Sequence, residues 1–477
     1  MAYDVVVVGG GVVGAAVAHA LSFYRLSAAL VEKEEELSFG VSKANSGIIH
    51  PGTQNPPRSL RGRLCVEGNR LIRRLAESLD LDFMEVGELI VAFDEAETSR
   101  LWQLKQEAEG DGVPGLEIVP RGWLRDNEPN LSREAVAALH APTAGIISPY
   151  RLVYALAESA QLNGVELHTL TRVENIERIA GSGFNIVTSK GDFRARFLVN
   201  CAGLHADRVA SMVSVPRFRI QPRKGEEYIL DKKRRYITRH LLFPIPTPES
   251  KGILVTRTSD GNPMIGPTAY DVDDKVDLST TDEGLEMVLR VATRLVPAID
   301  RRDIIAYFAG LRPAAGDDFI VEVDADAPGF VNVAGIQSPG LTAAPAIGRL
   351  VTRLLRGQGL ELASRRGSRQ ETPRHFRLQS MSPVAAEAAV RENPDTGDIV
   401  CRCETVSLRE IKDAISAGAR TLDGVKFRTR AGAGRCHGSF CTCRVMRVLS
   451  EETGRPITKI SKRGPGSELV SEDRAGA

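Results

Sequence analysis

Five of the seven cysteines in this 477-residue chain lie close together near its C-terminus. Cys401 and Cys403 form C-x-C, thirty-two residues follow, and Cys436 and Cys441 form C-x4-C. Four thiolates gathered in one region suit either a [2Fe-2S] cluster or a tetrahedral zinc ion, although C-x-C is tighter than the C-x2-C knuckle usual for zinc. The spacing predicts a metal centre on these four residues, with unmetallated thiols as the remaining alternative. Cys443 is a spare thiol that could substitute as a ligand.

The sequence around the cysteines has the features of a small folded domain with a basic surface. Ser407 and Glu410 have the spacing of a capping box, and the helix that they open is closed by Gly418. From Arg420 to Arg463 there are eleven Lys or Arg and three Asp or Glu. This surplus indicates either a solvated basic face or positive charge that raises a cluster's potential and guides an acidic electron-transfer partner. Aromatic residues for base stacking are nearly absent, so nucleic acid is not predicted as a partner.

The first residues of the chain carry a second chemical signal. A buried strand, Val5 to Val8, is followed by a turn that fits G-x-G-x-x-G and by a helix. Gly9 permits the tight turn, Gly11 lets the backbone approach a pyrophosphate, and Gly14 allows close packing of helix on strand. A second apolar run ends in Glu32, where a carboxylate would bind a ribose hydroxyl. The order of these features predicts a dinucleotide site.

FAD is predicted over NAD as the dinucleotide. Only one such fingerprint occurs, and the segment "VSKANSGIIHPG" offers small polar residues and glycines where a flavin would lie along the chain. Later, a strand that ends in "AGIQSPG" opens a helix at "LTAAPAIG". The N–H groups and positive dipole end of that helix suit the negative charge of a reduced flavin ring.

Composition limits the remaining possibilities. Hydrophobic residues make up 42% and charged residues 26% of the chain, which is typical of an ordered globular protein, and the net charge of +1 indicates no general attraction to nucleic acid or lipid. Seven is an odd number of cysteines, and Cys65 and Cys201 stand alone in apolar surroundings, so a reducing cytosol is favoured over secretion. The apolar N-terminal run has no preceding positive charge, which argues against a signal peptide.

The predicted fold class is α/β, with a Rossmann-type FAD-binding domain, an inserted and mainly antiparallel β substrate domain, and a small C-terminal helical [2Fe-2S] domain. The predicted boundaries are 1–360 for the oxidoreductase part, with the insertion at roughly 80–150 and 210–310. A polar linker follows at 361–397, the cysteine domain at 398–460 and a flexible tail at 461–477.

The first 360 residues resemble the D-amino-acid-oxidase-like superfamily of FAD oxidoreductases. The resemblance is carried by "DVVVVGGGVVGAAVAHAL", "NSGIIHPG", "VNCAGLHAD", "RKGEEY", "FAGLRP" and "AGIQSPGLTAAPAIG". Within it, the flavin subunit of anaerobic glycerol-3-phosphate dehydrogenase and L-2-hydroxyglutarate dehydrogenase are similar to this chain. The C-terminal 80 residues resemble the bacterioferritin-associated-ferredoxin-like [2Fe-2S] domain, which favours iron over zinc.

The resemblance implies particular site residues. For the substrate, it implies Arg312 as the clamp on an anionic group, with Arg257 as the second choice and Lys224 lining the site. An ordinary surface ion pair is the alternative for each arginine. His50 is predicted as the general base for the hydroxyl proton, with a structural histidine that holds the loop beside the flavin as the alternative. The residues implied for FAD are Gly9, Gly11, Gly14, Glu32, Lys33, Ser42, Ser46, Gly47, Val173, Ala202, Gly203, Gly310, Gly335, Gly340, Leu341 and Thr342.

The predicted function is a FAD-dependent dehydrogenase that oxidises a small anionic secondary alcohol, with glycerol 3-phosphate as the first choice of substrate. L-2-hydroxyglutarate, an amine or amino acid, or a pure electron-transfer subunit are the alternatives. The cluster would carry electrons singly from the flavin to an acceptor protein or a quinone-reducing subunit. The expected location is the cytoplasm, with association at the inner membrane face through a partner.

Overall fold

The computed structural model describes residues 2–179, 183–247, 251–369, 372 and 375–471. The chain divides into two compact units. The first consists of Met1–Val31, Gly40–Leu167 and Val173–Thr372, and the second of Glu32–Phe39, His168–Arg172 and Pro373–Ala477.

The described residues form strands and helices that are numbered here in chain order. The strands are β1 (Ala2–Val8), β2 (Ala28–Val31), β3 (Ile48–Ile49), β4 (Met84–Glu85), β5 (Glu88–Ala92), β6 (Glu117–Pro120), β7 (Ala137–Ala141), β8 (Gly145–Ile146), β9 (Glu166–His168), β10 (Val173–Ile179), β11 (Gly183–Thr188), β12 (Phe193–Asn200), β13 (Gln221–Leu230), β14 (Leu241–Pro244), β15 (Leu254–Arg257), β16 (Pro263–Gly266), β17 (Tyr270–Asp271), β18 (Ile304–Ala314), β19 (Ile320–Val323), β20 (Phe330–Ala334), β21 (Ile399–Cys401) and β22 (Val406–Ser407). The α-helices are α1 (Val12–Ser22), α2 (Leu60–Ser78), α3 (Glu95–Gly110), α4 (Arg121–Asn127), α5 (Pro149–Leu162), α6 (Ala206–Ser211), α7 (Asp282–Leu295), α8 (Gly340–Gly357), α9 (Pro383–Glu392), α10 (Leu408–Ser416), α11 (Leu422–Thr429) and α12 (Thr442–Thr453).

The first sheet of the larger unit positions the glycine turn. β1 runs parallel to β2 on one side and to β12 on the other, and β20 runs parallel to β12. From Val5 to Val8, β1 is buried on both faces, as expected for a central parallel strand covered by helices. The parallel arrangement brings the C-terminal ends of β1, β2 and β12 to one edge of the sheet, where open α/β sheets bind their ligands.

Glycines allow three helices of this unit to pack with their backbones close together. A Cβ atom at Gly68 of α2 would lie 2.0 Å from the Thr342 carbonyl oxygen of α8. A Cβ atom at Gly348 of α8 would lie 2.5 Å from the Ala16 carbonyl oxygen of α1. Larger residues at these positions would push the helices apart and move the N-terminus of α8.

The second sheet of the larger unit is made from two separate stretches of chain. Its order is β17-β13-β16-β15-β14-β5-β7-β6, with β18 paired to β13, and all of the registered pairs are antiparallel except β14 with β5. β5 is buried on both faces, because Leu89 and Val91 pack in a core with α7 whereas Ile90 and Ala92 pack in another with α3. This sheet is the predicted inserted β layer.

The smaller unit contains a short hairpin and three helices around one apolar core. β21 pairs with β22, and α10, α11 and α12 pack on this hairpin. The predicted capping box is present at α10, where Ser407 Oγ accepts from the Glu410 N–H and Glu410 Oε2 accepts from the Ser407 N–H. Buried Glu36 caps α11 from another chain segment, with Oε1 accepting from the Arg420 and Thr421 N–H groups and Oε2 bound to Arg428 Nη1 at 2.9 Å.

The structure differs from the sequence expectations at two places. Helix α9 lies inside the stretch 361–397 that polarity predicts as linker, because Ser382 caps it and Pro383 starts it. The predicted tail begins within the folded unit, since the Ser461 and Lys462 carbonyls accept from the Leu422 and Asp423 N–H groups. Residues 472–477 of that predicted tail lie outside the described residues.

The observed layers confirm the predicted fold class. A parallel-centred α/β unit carries the glycine turn, a mainly antiparallel sheet is inserted into it, and a small helical unit holds the late cysteines. Among the described residues, every helix is too short or too polar to cross a membrane.

Two glycines of α8 give a matched test of the close helix packing. We expect Gly348→Ala to lower the free energy of unfolding by about 1–3 kcal/mol, because the added methyl group would meet the α1 backbone. Gly357→Ala at the end of the same helix, where no atom lies within 4 Å of the added Cβ, should be neutral or stabilising by about 0.5 kcal/mol. Equal denaturant midpoints for the two variants would contradict the packing argument.

Candidate functional site

The turn after β1 has the geometry of a phosphate cradle. Gly9 has φ of 108°, and a Cβ there would lie 2.4 Å from the Cys201 carbonyl oxygen. A Cβ at Gly14 would lie 1.9 Å from the Gly9 carbonyl oxygen, so both positions require glycine. The N-cap residue of α1 is Gly11, which has no side chain that could cap the helix, and the first turn of α1 has no acidic residue. A helix N-terminus with a glycine N-cap and no acidic residue fits a pyrophosphate.

Ser42 is the predicted FAD residue that contacts this turn directly. Its hydroxyl oxygen accepts a hydrogen bond from the Val12 N–H at 2.9 Å. Ala202 and Gly203 follow β12 at the same sheet edge, and Gly203 has φ of 56°. Glu32 follows β2 directly in the chain but belongs to the smaller unit, where its Oε1 accepts from the Glu34 N–H.

Most of the remaining predicted FAD residues lie in one part of the fold, and two lie apart from it. The segment after Ala44, the N-terminal turn of α8 and β18 come together, because a Cβ at Gly310 would lie 2.5 Å from the Ala44 carbonyl oxygen and Thr342 Oγ1 accepts from the His50 N–H at 3.0 Å. This group holds Ser46, Gly47, Gly310, Gly340, Leu341 and Thr342, and Gly335 begins the loop that leads from β20 to α8. Lys33, which pairs with Glu34, and Val173, the first residue of β10, lie apart from it in sequence. The FAD contacts of all these residues remain predictions.

Arg312, the predicted anion clamp, lies on β18 in a space made by a glycine. A Cβ at Gly225 on the neighbouring strand would be 2.5 Å from Arg312 Nη2, which donates to the Thr268 carbonyl at 2.9 Å. Burial lowers the pKa of Arg312, and the nearby Glu227 carboxylate opposes that shift. Glu227 is itself buried, which raises its pKa to about 7, and its Oε1 accepts from Ser46 Oγ at 3.2 Å.

Lys251 is a site residue that the sequence reasoning missed. Its Nζ atom is buried and has no hydrogen-bond partner among the described residues. Burial lowers the pKa of Lys251; Cys65 and Glu88 oppose this shift, whereas the charges of Arg61 and Arg312 add to it. The Arg61 Nε atom is likewise buried without a partner. Lys251 and Arg61 thus have buried donors without a partner among the described residues, and with Arg312 they make this a candidate anion site.

His50 lies at the end of this cationic group. Its Nδ1 is 3.9 Å from Glu88 Oε2 and its Nε2 is 3.4 Å from Ser338 Oγ. Burial, with a contribution from the charge of Lys251, holds the pKa of His50 well below its ordinary value. Burial also raises the pKa of Glu88, whose Oε1 accepts from Thr53 Oγ1. The His50 imidazole is therefore neutral near pH 7 and can accept a proton.

Two predicted substrate residues stand apart from the anion site. Lys224 lies on β13 beside Glu227, and because side chains alternate along a strand it points to the opposite face, where Nζ binds the Asp277 carboxylate and the Ser279 carbonyl. Arg257 ends β15 opposite Pro263, with a buried Nε that has no partner among the described residues. No described contact joins Arg257 to Lys251 or Arg312.

The residues that were missed left weak signals in the sequence. Lys251 stands immediately before the apolar run "GILV", and Glu88 opens the fully buried strand "ELIVA". A charged residue at the end of a buried strand is a candidate for functional burial. Arg61 lies in the first turn of α2, where nothing in the helical pattern distinguishes it.

The four late cysteines meet as two pairs in the smaller unit. Cys403 Sγ and Cys436 Sγ are 3.5 Å apart, and Cys401 hydrogen-bonds Cys441. The bond from Cys441 lowers the pKa of Cys401 to about 6, and the same bond raises the pKa of Cys441. Cys443 is exposed on α12. The structure thus assembles the four predicted ligands and leaves the spare thiol outside the two pairs.

This arrangement fits a cluster with two irons better than a single ion. Among the described residues, no three His, Cys, Asp or Glu side chains converge as the shell of one ion. Two separate thiol pairs match a [2Fe-2S] cluster, in which each iron takes two protein ligands. Backbone N–H groups of Gly432 and Glu404 point at Cys401 and those of Gly438 and Phe440 at Cys436, and such bonds stabilise thiolates.

Family comparisons agree with both halves of this description. Residues 4–354 match the model described as FAD dependent oxidoreductase, and residues 399–451 match that of the BFD-like [2Fe-2S] binding domain. These matches confirm the predicted cofactors, FAD and a [2Fe-2S] cluster.

Individual relatives are similar over most or part of the chain. A glycerol 3-phosphate dehydrogenase of Caloramator mitchellensis is 40% identical over 98% of both chains. The dithionite-reduced L-alpha-glycerophosphate oxidase of Mycoplasma pneumoniae with FAD bound has a TM-score of 0.74 at 31% identity, covering 78% of this chain and 98% of that one. The mitochondrial L-2-hydroxyglutarate dehydrogenase of Bos taurus is 32% identical over 56% of this chain and 61% of its own length.

Cysteine replacements test the ligand set. We expect Cys403→Ser and Cys436→Ser to lose most of the iron and acid-labile sulfide of anaerobically purified protein, because one iron would lose a thiolate. Cys443→Ser, on the exposed helix start nearby, is the matched control and should keep both. Zinc without sulfide in the unmodified protein, or loss of iron in Cys443→Ser alone, would contradict the assignment.

Proposed function

This chain belongs to the family of FAD-dependent oxidoreductases, and on that premise we propose that it oxidises glycerol 3-phosphate to dihydroxyacetone phosphate and delivers the electrons through its [2Fe-2S] cluster. The receiver would be an acceptor protein or a quinone-reducing subunit. The relative that is similar over 98% of both chains is a glycerol 3-phosphate dehydrogenase, which supports this substrate over a 2-hydroxy acid.

One observation carries the substrate proposal. Lys251 Nζ is buried without a hydrogen-bond partner among the described residues, and it lies in the field of Arg61 and Arg312. A phosphate dianion offers three acceptor oxygens to these cations, whereas a single carboxylate would balance less of their charge. Binding of the phosphate would therefore place acceptor oxygens against the Lys251 ammonium, which has no hydrogen-bond partner among the described residues.

The proposed positions of the substrate atoms follow from the same group. With the phosphate on Lys251, Arg61 and Arg312, the carbinol would extend toward His50, whose neutral imidazole takes the hydroxyl proton. Glu88, 3.9 Å from His50 Nδ1, stabilises the imidazolium that results. When bound, FAD supplies the acceptor for the hydride from the carbinol carbon.

Anaerobic spectroscopy tests the substrate directly. Glycerol 3-phosphate added without oxygen should bleach the visible absorbance of the bound flavin within a turnover, while L-2-hydroxyglutarate and amino acids should leave it unchanged. Bleaching by L-2-hydroxyglutarate or by an amino acid alone would overturn the substrate assignment. No bleaching by any of them would indicate an electron-transfer subunit without a substrate pocket.

Lys251 and Lys224 give a matched pair of substitutions. We expect Lys251→Met to raise KM for glycerol 3-phosphate by about 10- to 100-fold, because a charged hydrogen bond to the phosphate is lost. Its melting temperature should hold or rise, because a buried ammonium without a partner is removed. Lys224→Met should instead lower the melting temperature with little effect on KM, since Lys224 is paired with Asp277. The reverse pattern would show that Lys251 is structural.

The protonation of His50 sets the pH dependence. Because burial lowers its pKa below 6.5, the imidazole stays unprotonated as the pH falls through 6.5, and the base is lost only at lower pH. In Glu227→Gln, which removes the neighbouring carboxyl whose pKa is about 7, we expect the substrate to reduce the flavin at a nearly constant rate from about pH 9 to about pH 6.5 in stopped-flow experiments. His50→Asn should lower that rate by about 10²- to 10⁴-fold. An acidic limb above pH 6.5 would contradict this role.

A further inference from the structure

The two cysteine pairs differ in their access to solvent. Cys401 and Cys441 are 1% and 2% exposed, whereas Cys403 is exposed and Cys436 is half-buried. A cluster held by these four residues therefore has one edge inside the unit and one edge, at Cys403 and Cys436, at the surface. This outer edge is where another molecule can come close to the metal centre.

Positive charge surrounds the outer edge. Arg402, Arg435 and His437 are the direct chain neighbours of Cys403 and Cys436, and all three are exposed. From residue 427 to residue 450 the sequence has five arginines and no Asp or Glu. The carboxylate of Glu404, the residue after Cys403, is buried and bound by Arg430 Nε at 2.9 Å. The described stretches that carry the outer edge, residues 402–404 and 427–450, are thus cationic and contain no exposed carboxylate.

An exposed aromatic side chain accompanies this charge. Phe440 is 87% exposed, the highest value among the large hydrophobic side chains that the structure describes. It directly precedes the ligand Cys441, and its backbone N–H is bonded to the sulfur of Cys436. The backbone of Phe440 therefore serves the metal centre while its ring points into water. A solvated basic surface alone gives no reason for an aromatic ring there, whereas interface centres are enriched in aromatic and Arg side chains.

We propose that Arg402, Arg435, His437 and Phe440 form a docking face for an acidic protein that contains a one-electron carrier. The arginines would steer the approach of the partner's acidic surface, and the Phe440 ring would be buried at the centre of the contact. The proposal rests on the proposed function only in that the cluster delivers electrons. In each encounter one electron leaves the reduced cluster and reduces the partner's oxidised carrier, so two encounters remove the two electrons of one oxidised alcohol.

Binding of an acidic probe protein tests the docking face without any substrate. We would titrate an oxidised acidic flavodoxin into the oxidised full-length protein, loaded with both cofactors, by isothermal calorimetry. Affinity should fall about tenfold or more when ionic strength is raised from about 20 to about 200 mM. The double variant Arg402→Glu, Arg435→Glu should lower it by a similar factor, and Phe440→Ala by about fivefold or more.

Matched controls separate the docking face from net charge and general hydrophobicity. The double variant Arg133→Glu, Arg353→Glu changes exposed arginines in the larger unit by the same charge, and Trp102→Ala removes another half-exposed aromatic ring. Both should bind the flavodoxin like the unmodified protein. All variants should keep their iron and sulfide content and the rate at which glycerol 3-phosphate bleaches the flavin.

The outcomes distinguish this proposal from the substrate proposal. Stopped-flow oxidation of the dithionite-reduced protein by the flavodoxin should slow in the docking-face variants alone, whatever the substrate is. Equal losses of affinity in the control variants, or no binding of the flavodoxin at low salt, would overturn the docking face. Binding to anionic phospholipid vesicles that the docking-face variants abolish, in the absence of flavodoxin binding, would also overturn it and assign the face to a membrane surface.

Discussion

The proposed substrate site depends on the positive charge of Lys251, which the protein buries without a hydrogen-bond partner among the described residues. Moving an ammonium group from water into a protein costs on the order of several kcal/mol, and an ion pair can offset that cost only with good geometry. Lys251 Nζ makes no hydrogen bond to any described residue, and Arg61 and Arg312 add repulsion. Ile253 and Leu254, which follow Lys251 closely in the chain, pack in the two apolar cores on either side of β5 and anchor this segment. In the proposed site an anionic ligand would bind because its negative charge offsets the electrostatic repulsion among these three cations.

The same site requires backbones to approach closely, and glycines make that approach possible. Gly225 leaves room for the Arg312 guanidinium, and Gly310 lets β18 touch the segment that leads to His50. Gly68 brings α2, which contains Arg61, against the first turn of α8. A single methyl group added at any of these glycines would prevent the close approach. Close packing therefore fixes the positions of Arg312, Arg61 and His50 before a ligand binds.

The sequence predicts the local and periodic parts of this protein. The glycine turn, the capping box at Ser407 and the four late cysteines are local patterns whose spacing determines their chemistry, and each is present in the structure. What the sequence could not supply is the set of residues that meet only through the folded sheet. Lys251 and Glu88 are 163 positions apart in the chain, and neither lies in a recognisable motif. Lys224 shows the converse, because its motif is recognisable but strand alternation turns its side chain away from Arg312 and toward Asp277.

The proposed function requires two kinds of electron transfer, and these differ in the solvent access that they need. In the proposed oxidation a hydride and a proton leave the alcohol, so the site that receives them would gain from excluding water, and the buried His50 and the buried Lys251 Nζ agree with that requirement. Delivery of single electrons to another protein has the opposite requirement, because the donor must come close to the surface. The cysteine pairs meet it by burying Cys401 and Cys441 while Cys403 stays exposed. An inner pair alone would hold iron stably but shield it from a partner, and an outer pair alone would leave both irons open to water. One buried pair and one accessible pair reconcile the stability of the cluster with its exchange of electrons.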